Sequence, residues 1–162
     1  MQVLKFGGSS VANADNINKV VELVKQALTK DRTILVVSAL GGITDMLIQA
    51  GLSAAAGEET YKEKLQEIER RHLDTVKTLL PITRQSGALS LVKTKCNEIE
   101  DICAGVFLLG ELSARTQDKI VSYGELLSSL IISARFTSLE IAHQWKDSRE
   151  LIRTDSSDLM KS

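Results

Sequence analysis

The chain has 162 residues, 43% hydrophobic and 25% charged, with 20 Lys and Arg against 21 Asp and Glu for a net charge of -1. That is enough sequence for one domain with a hydrophobic core, and the balanced charge argues against a nucleic-acid partner, which calls for a basic excess. No apolar run is long enough to span a bilayer and the first six residues show no signal-peptide pattern, so no membrane partner is expected and the cytoplasm is the expected location.

Residues 2–6 read as a short strand, followed by a loop at Gly7-Gly8-Ser9-Ser10. Apolar residues at Ile17, Val20, Val21, Val24 and Leu28 form one stripe of a helix over about 13–30. Residues 33–39, TILVVSA, are a largely β-branched run that predicts a strand buried on both faces of a parallel sheet. Strand, helix and strand make a βαβ unit with a right-handed crossover. Leu40-Gly41-Gly42 is a second glycine-bearing loop, after which Thr44 is placed to cap a helix reaching about residue 56, closed by Gly57.

A helix over 61–80 is stopped by Pro81, the only proline. Apolar positions Leu89, Val92, Cys96, Ile99, Cys103 and Val106 step by three and four along a second helix over about 88–109. Such a seam predicts an antiparallel hairpin of the two, with Glu63, Lys64, Glu67, Glu69, Arg70 and Arg71 on a solvated face. Residues 124–136 read as a third apolar helix, 139–145 as another strand, and 148–162 as a polar stretch without period. The order is that of an α/β domain with a helical insertion at about 57–110 and no linker, and its three strands make a small sheet.

Cys96 and Cys103 are seven residues apart, roughly 10 Å along a helix axis at about 1.5 Å per residue. That is too far for a disulfide within one helix, and no further ligands stand near for a zinc site. They read as small core residues in a reducing compartment.

Three segments could carry chemistry. In Lys5-Phe6-Gly7-Gly8-Ser9-Ser10-Val11 a strand ends in a lysine, and two glycines lead towards a helix N-terminus. Glycines let the backbone approach a phosphate, and free N–H groups with the helix dipole favour an anion. The spacing is neither G-x-x-x-x-G-K-[ST] nor G-x-G-x-x-G. The alternative is a tight turn beside a surface lysine. Val36-Val37-Ser38-Ala39-Leu40-Gly41-Gly42-Ile43-Thr44-Asp45 is again strand, loop and helix start. The carboxyl ends of parallel strands share one edge, where ligands bind, so both loops are expected on one crevice. In Ser122-Tyr123-Gly124-Glu125-Leu126-Leu127-Ser128, Glu125 opens the predicted third helix. It is either a charge placed for the dipole or a carboxylate holding a substrate ammonium.

The first of these segments resembles the N-terminal signature of the aspartokinases, within the amino-acid kinase superfamily. Val37-Ser38-Ala39 through Gly42-Ile43-Thr44-Asp45 resembles their second glycine-bearing loop, and Ser122 to Ser128 their S-x-G-E-x-x-S segment. The likeness continues through Gln144-Trp145-Lys146-Asp147-Ser148-Arg149, while the stretch 57–110 is not diagnostic. The resemblance implies a parallel-sheet sandwich and transfer of the ATP γ-phosphoryl group to the aspartate side chain, the first step towards lysine, threonine and methionine. It implies Lys5 as the catalytic cation, and Lys5, Gly7, Gly8 and Ser9 around the ATP phosphates. It implies Ser38, Ala39 and Thr44 at the aspartate, and Glu125 on its α-ammonium group. Mg²⁺ would accompany ATP, no residue of this chain being named as its ligand. A homo-oligomer is implied for the full-length protein.

The family's later G-R-G-G-S-D-type segment is not found. Arg153-Thr154-Asp155-Ser156-Ser157 comes too early and lacks the glycines. Residues 1–162 are therefore expected to be the N-terminal part of one catalytic domain, incomplete and inactive alone. Competing readings are a glutamate, acetylglutamate, carbamate or nucleoside-monophosphate kinase, or a non-catalytic module with the hairpin 61–109 as an oligomer interface.

Overall fold

The computed structural model describes residues 1–151. The order is β1 (Gln2–Phe6), α1 (Ala14–Leu28), β2 (Thr33–Val37), α2 (Ile43–Ala55), α3 (Tyr61–Leu79), a 3₁₀ turn (Ile82–Arg84), α4 (Ser86–Leu109), α5 (Ala114–Ser138) and the short α6 (Ser148–Leu151). The fold is α/β. β1 and β2 pair in parallel, from Gln2 opposite Thr33 to Phe6 opposite Val37, and α1 is the crossover between them. Asn13 caps α1 by accepting from the Asn16 amide at 3.0 Å.

The strand-like run over 33–39 is half-buried rather than buried on both faces. Leu4, Phe6, Leu35 and Val37 pack towards the core, and α1 and α5 contact β2. The opposite face, with Val3 62%, Ile34 45% and Val36 44% exposed, has no layer over it among the described residues. Alternation in a pleated strand explains the pattern: one face has helices to pack against, the other does not.

The expected third strand is absent among the described residues. α5 ends in a Schellman motif, in which the Ile141 amide donates to Phe136 O at 2.9 Å and the Glu140 amide to Thr137 O at 3.1 Å. Glu140 takes the left-handed position, φ 58°, usually given to glycine. The chain then doubles back along α5, where Trp145 Nε1 donates to Ser129 Oγ at 2.9 Å. Leu139, Ile141 and Trp145 alternate as in a strand, but they pack against the core, and among the described residues the sheet holds only β1 and β2. The possible substitute segment at 153–157 lies outside the described residues.

α2, α3, α4 and α5 pack against one another in a helical layer. The hairpin of α3 and α4 is as the seam predicted, with Val92, Cys96, Ile99, Cys103 and Val106 buried. Both cysteines are free, and burial pushes their thiols up, to about 12 for Cys96 and about 11 for Cys103. They are space-filling groups without thiolate reactivity.

His72 of α3 is wholly buried. Its Nδ1 lies 2.7 Å from Ile68 O, so Nδ1 carries the proton and Nε2 has no partner among the described residues. Burial first, and the neighbouring Arg71 charge after it, outweigh the Ile68 bond and lower the pKa to about 4. Between about pH 6.5 and 4 the unfolded chain therefore binds a proton at this site that the folded chain does not. Stability falls with pH there, by about 1.4 kcal/mol per pH unit from this group. Urea titrations at pH 7, 6 and 5 should show that slope as a difference between wild type and His72→Leu. Parallel pH dependences in the two proteins would contradict it.

Candidate functional site

The two glycine-bearing loops meet at the carboxyl ends of β1 and β2. The ladder runs one step past the strands, the Ser38 amide donating to Phe6 O at 3.0 Å. In the first loop the Ser10 amide donates to Gly7 O at 3.0 Å, closing a turn. Asn16 Nδ2 then donates to Ser9 O at 2.9 Å, fastening that turn to the N-terminus of α1. Backbone donors and the positive end of a 15-residue helix thus lie together.

The loops touch through their glycines. A Cβ on Gly8 would sit 3.6 Å from Ser38 Oγ and 3.9 Å from Ala39 O. A Cβ on Gly41 would sit 3.1 Å from Ala12 Cβ and 3.6 Å from Gly8 O. Gly42, at φ 81°, is the N-cap of α2 and makes no side-chain cap bond. Thr44 is therefore not the cap but an exposed residue of the first turn. The left-handed turn that only glycine adopts cheaply starts the helix two residues earlier.

α5 closes the arrangement from behind. It begins at its cap Ser113, whose Oγ accepts from the Thr116 amide at 3.1 Å. Glu125 thus stands three turns inside the helix, and N-terminal dipole placement does not explain it. What places it is the small residue before it. A Cβ on Gly124 would lie 2.8 Å from Ala39 Cβ and 3.4 Å from Leu47 Cδ1, so helix and loop pack at backbone distance. One turn on, the wholly buried Ser128 donates its hydroxyl to Ser38 O at 2.6 Å. Glu125 is exposed beside that contact.

Of the expected site residues, Gly8, Ser38 and Ala39 come together by direct packing, and Glu125 is exposed next to Gly124, which packs on Ala39. Ser9 belongs to the turn at the α1 N-terminus. Gly7 is exposed with open space around its Cβ position. Lys5 is exposed on the open face of the sheet, opposite Val36 in register. In the sequence Ser128 is only the last residue of its segment, with no role assigned, and Arg71 is placed on the solvated face. Gly124 and Ser128, four apart, share one face of a largely apolar helix, and that spacing was the available signal for Ser128. Arg71 is not on the solvated face: it donates to the carbonyls of Gly41 and Ala12.

The segment after α5 completes the surroundings. The Arg149 guanidinium lies 5.0 Å from the centre of the Tyr123 ring and pairs with Asp147 at 2.8 Å. That hydrogen bond holds the Asp147 carboxyl below its usual range. Among the described residues no group of three or more His, Cys, Asp or Glu side chains could hold a metal ion. The described residues therefore offer no ligand set of their own for a divalent cation.

A sequence model of the amino acid kinase family matches residues 1–160. The chain is 33% identical over 158 residues to Aspartokinase 1, chloroplastic, of Arabidopsis thaliana, covering 94% of this chain and 26% of that protein. It is 26% identical over 150 residues to the chloroplastic bifunctional aspartokinase/homoserine dehydrogenase 1 of Zea mays, covering 93% and 16%. Among solved structures, E. coli aspartokinase III in complex with aspartate and ADP matches with a TM-score of 0.81 and 28% identity, over 96% of this chain and 33% of that one. The chain thus spans about a quarter or less of the length of these two curated relatives.

Proposed function

The chain belongs to the amino acid kinase family, and on that premise we propose that the full-length protein transfers the γ-phosphoryl group of ATP to the side-chain carboxylate of L-aspartate, giving 4-phospho-L-aspartate and ADP. The observation that carries this reading is the packing of Gly124 on Ala39 with the Ser128–Ser38 bond. It fixes an exposed carboxylate, Glu125, beside the loop that touches the phosphate-type loop. The E. coli relative whose structure holds aspartate and ADP supports the choice of acceptor.

In this reading a carboxylate oxygen of aspartate attacks the γ-phosphorus, and the bond to the β-γ bridging oxygen breaks, its electrons leaving with ADP. No covalent enzyme intermediate is needed. The amides of Gly7, Gly8 and Ser9 donate to the phosphate oxygens, and Lys5 stabilises the phosphoryl group in transit. Ser38, Ala39 and Thr44 hold the aspartate, and Glu125 receives its ammonium group. Mg²⁺ would arrive with the nucleotide and neutralise phosphate charge. The work of these residues is positioning and charge stabilisation.

An acceptor panel on the full-length protein tests this. With ATP and Mg²⁺, trapping of acyl phosphate as hydroxamate should proceed with aspartate and fall at least tenfold with glutamate, acetylglutamate or carbamate. A preference for another acceptor would overturn the aspartate assignment.

A further inference from the structure

Arg71 stands on α3, in the part of the chain least like a catalytic segment, yet its guanidinium reaches both glycine-bearing loops. One end donates to Gly41 O, 30 residues away in sequence, and the other to Ala12 O at 3.3 Å, 59 residues away. Resting on the phosphoryl-transfer reading above, we propose that Arg71 is a positioning residue: a clamp that sets the distance between the phosphate-binding loop and the acceptor-binding loop.

Three features support this. The loops meet where any Cβ on Gly41 would crowd Ala12, so their separation is set at van der Waals contact and has little slack. Nη1 lies 3.7 Å from the Cβ position of Gly42, so the guanidinium also abuts the left-handed turn that starts α2. In a trans peptide, C=O and N–H point in opposite directions. Holding the Gly41 and Ala12 carbonyls towards α3 therefore turns the following amides, of Gly42 and Asn13, away from α3. These are the residues that cap α2 and α1. The two bonds leave separate nitrogens of one rigid planar fork, a span and geometry that the three donors on a lysine's single nitrogen do not reproduce. Arg71 does not touch the reacting groups. It acts through the relative position of two loops, and misplacement by about 1 Å costs on the order of 10²-fold in such reactions.

The test uses the full-length protein with Arg71→Ala, Arg71→Lys and, as a stability control, Val92→Ala in the α4 core. Removing the fork should lower kcat roughly 10- to 100-fold, with each KM within threefold, because each loop still binds its own ligand. Arg71→Lys should lose kcat several-fold, and it remains the variant to read if Arg71→Ala does not fold. Millimolar guanidinium should restore part of the kcat of Arg71→Ala and none of that of Val92→Ala. Unchanged kcat in Arg71→Lys overturns the clamp. So does a kcat loss in Arg71→Ala that guanidinium leaves untouched and that Val92→Ala matches at equal loss of Tm. Wild type that transfers nothing to aspartate overturns the functional reading and the clamp together, whereas active wild type with unaffected Arg71 variants overturns the clamp alone.

Discussion

Lys5→Ala in the full-length protein should lower kcat with aspartate and ATP by roughly two to three orders of magnitude, the usual loss when one preorganised charge partner of a transition state is removed. Thermal stability should hardly change. Lys5 is exposed at the end of β1, on the face of the sheet that no described helix covers, and such surface substitutions stay within about 0.5 kcal/mol. A large kinetic effect with a small thermodynamic one separates catalysis from folding. The KM for aspartate should move little, because the proposed function assigns the acceptor to the second loop and α5. Steady-state kinetics and a thermal melt on the same preparation check both parts, and an unchanged kcat would remove Lys5 from the mechanism.

The second large effect is expected at Gly124. In Gly124→Ala two opposing contributions meet. Alanine is favoured over glycine inside a helix by about 1 kcal/mol. The new methyl would stand 2.8 Å from Ala39 Cβ, well inside the roughly 3.5–4.0 Å of a carbon contact. Both carbons are fixed to backbone, so no rotamer relieves the clash and either α5 or the second loop must move. Overpacking costs typically about 1–3 kcal/mol, so stability falls modestly or stays level. Activity falls further, roughly 10- to 100-fold, because the moved loop carries Ser38 and Ala39. The double variant Gly124→Ala with Ala39→Gly removes the opposing methyl and should recover most of the activity, a coupling that a double-mutant cycle measures. Full activity in Gly124→Ala alone would show that the close approach does not position the site.

Much of this arrangement is legible in the sequence. The stripe Ile17, Val20, Val21 and Val24 is the buried face of α1, and the three-four seam from Val92 to Val106 is that of α4. The glycine pairs mark both loops, since close approach and positive φ leave a compositional trace. Helix α5 shows where such reading stops. After Ala114 its first turn and a half, from Arg115 to Lys119, is polar, and its first buried residue is Ile120. Periodicity therefore starts late, while the real start is set by the Ser113 cap. Residues 139–145 alternate like a strand, but alternation reports a ribbon with one apolar edge, not what that edge meets. The Schellman turn at Glu140 was hidden because its left-handed residue is not glycine. Arg71 was unreadable for a different reason. An arginine among Glu67, Glu69 and Arg70 looks solvated, and its two carbonyl partners lie 30 and 59 residues away.

Within the acceptor panel, the identity of the product bears most directly on the central claim, that these loops and α5 form one side of a crevice for phosphoryl transfer to aspartate. Phosphorus NMR of the full-length protein with ATP, Mg²⁺ and aspartate should show an acyl-phosphate resonance growing in step with ADP, and hydroxylamine should convert it to aspartyl hydroxamate. ADP accompanied only by inorganic phosphate, with no acyl phosphate trapped, would contradict the account.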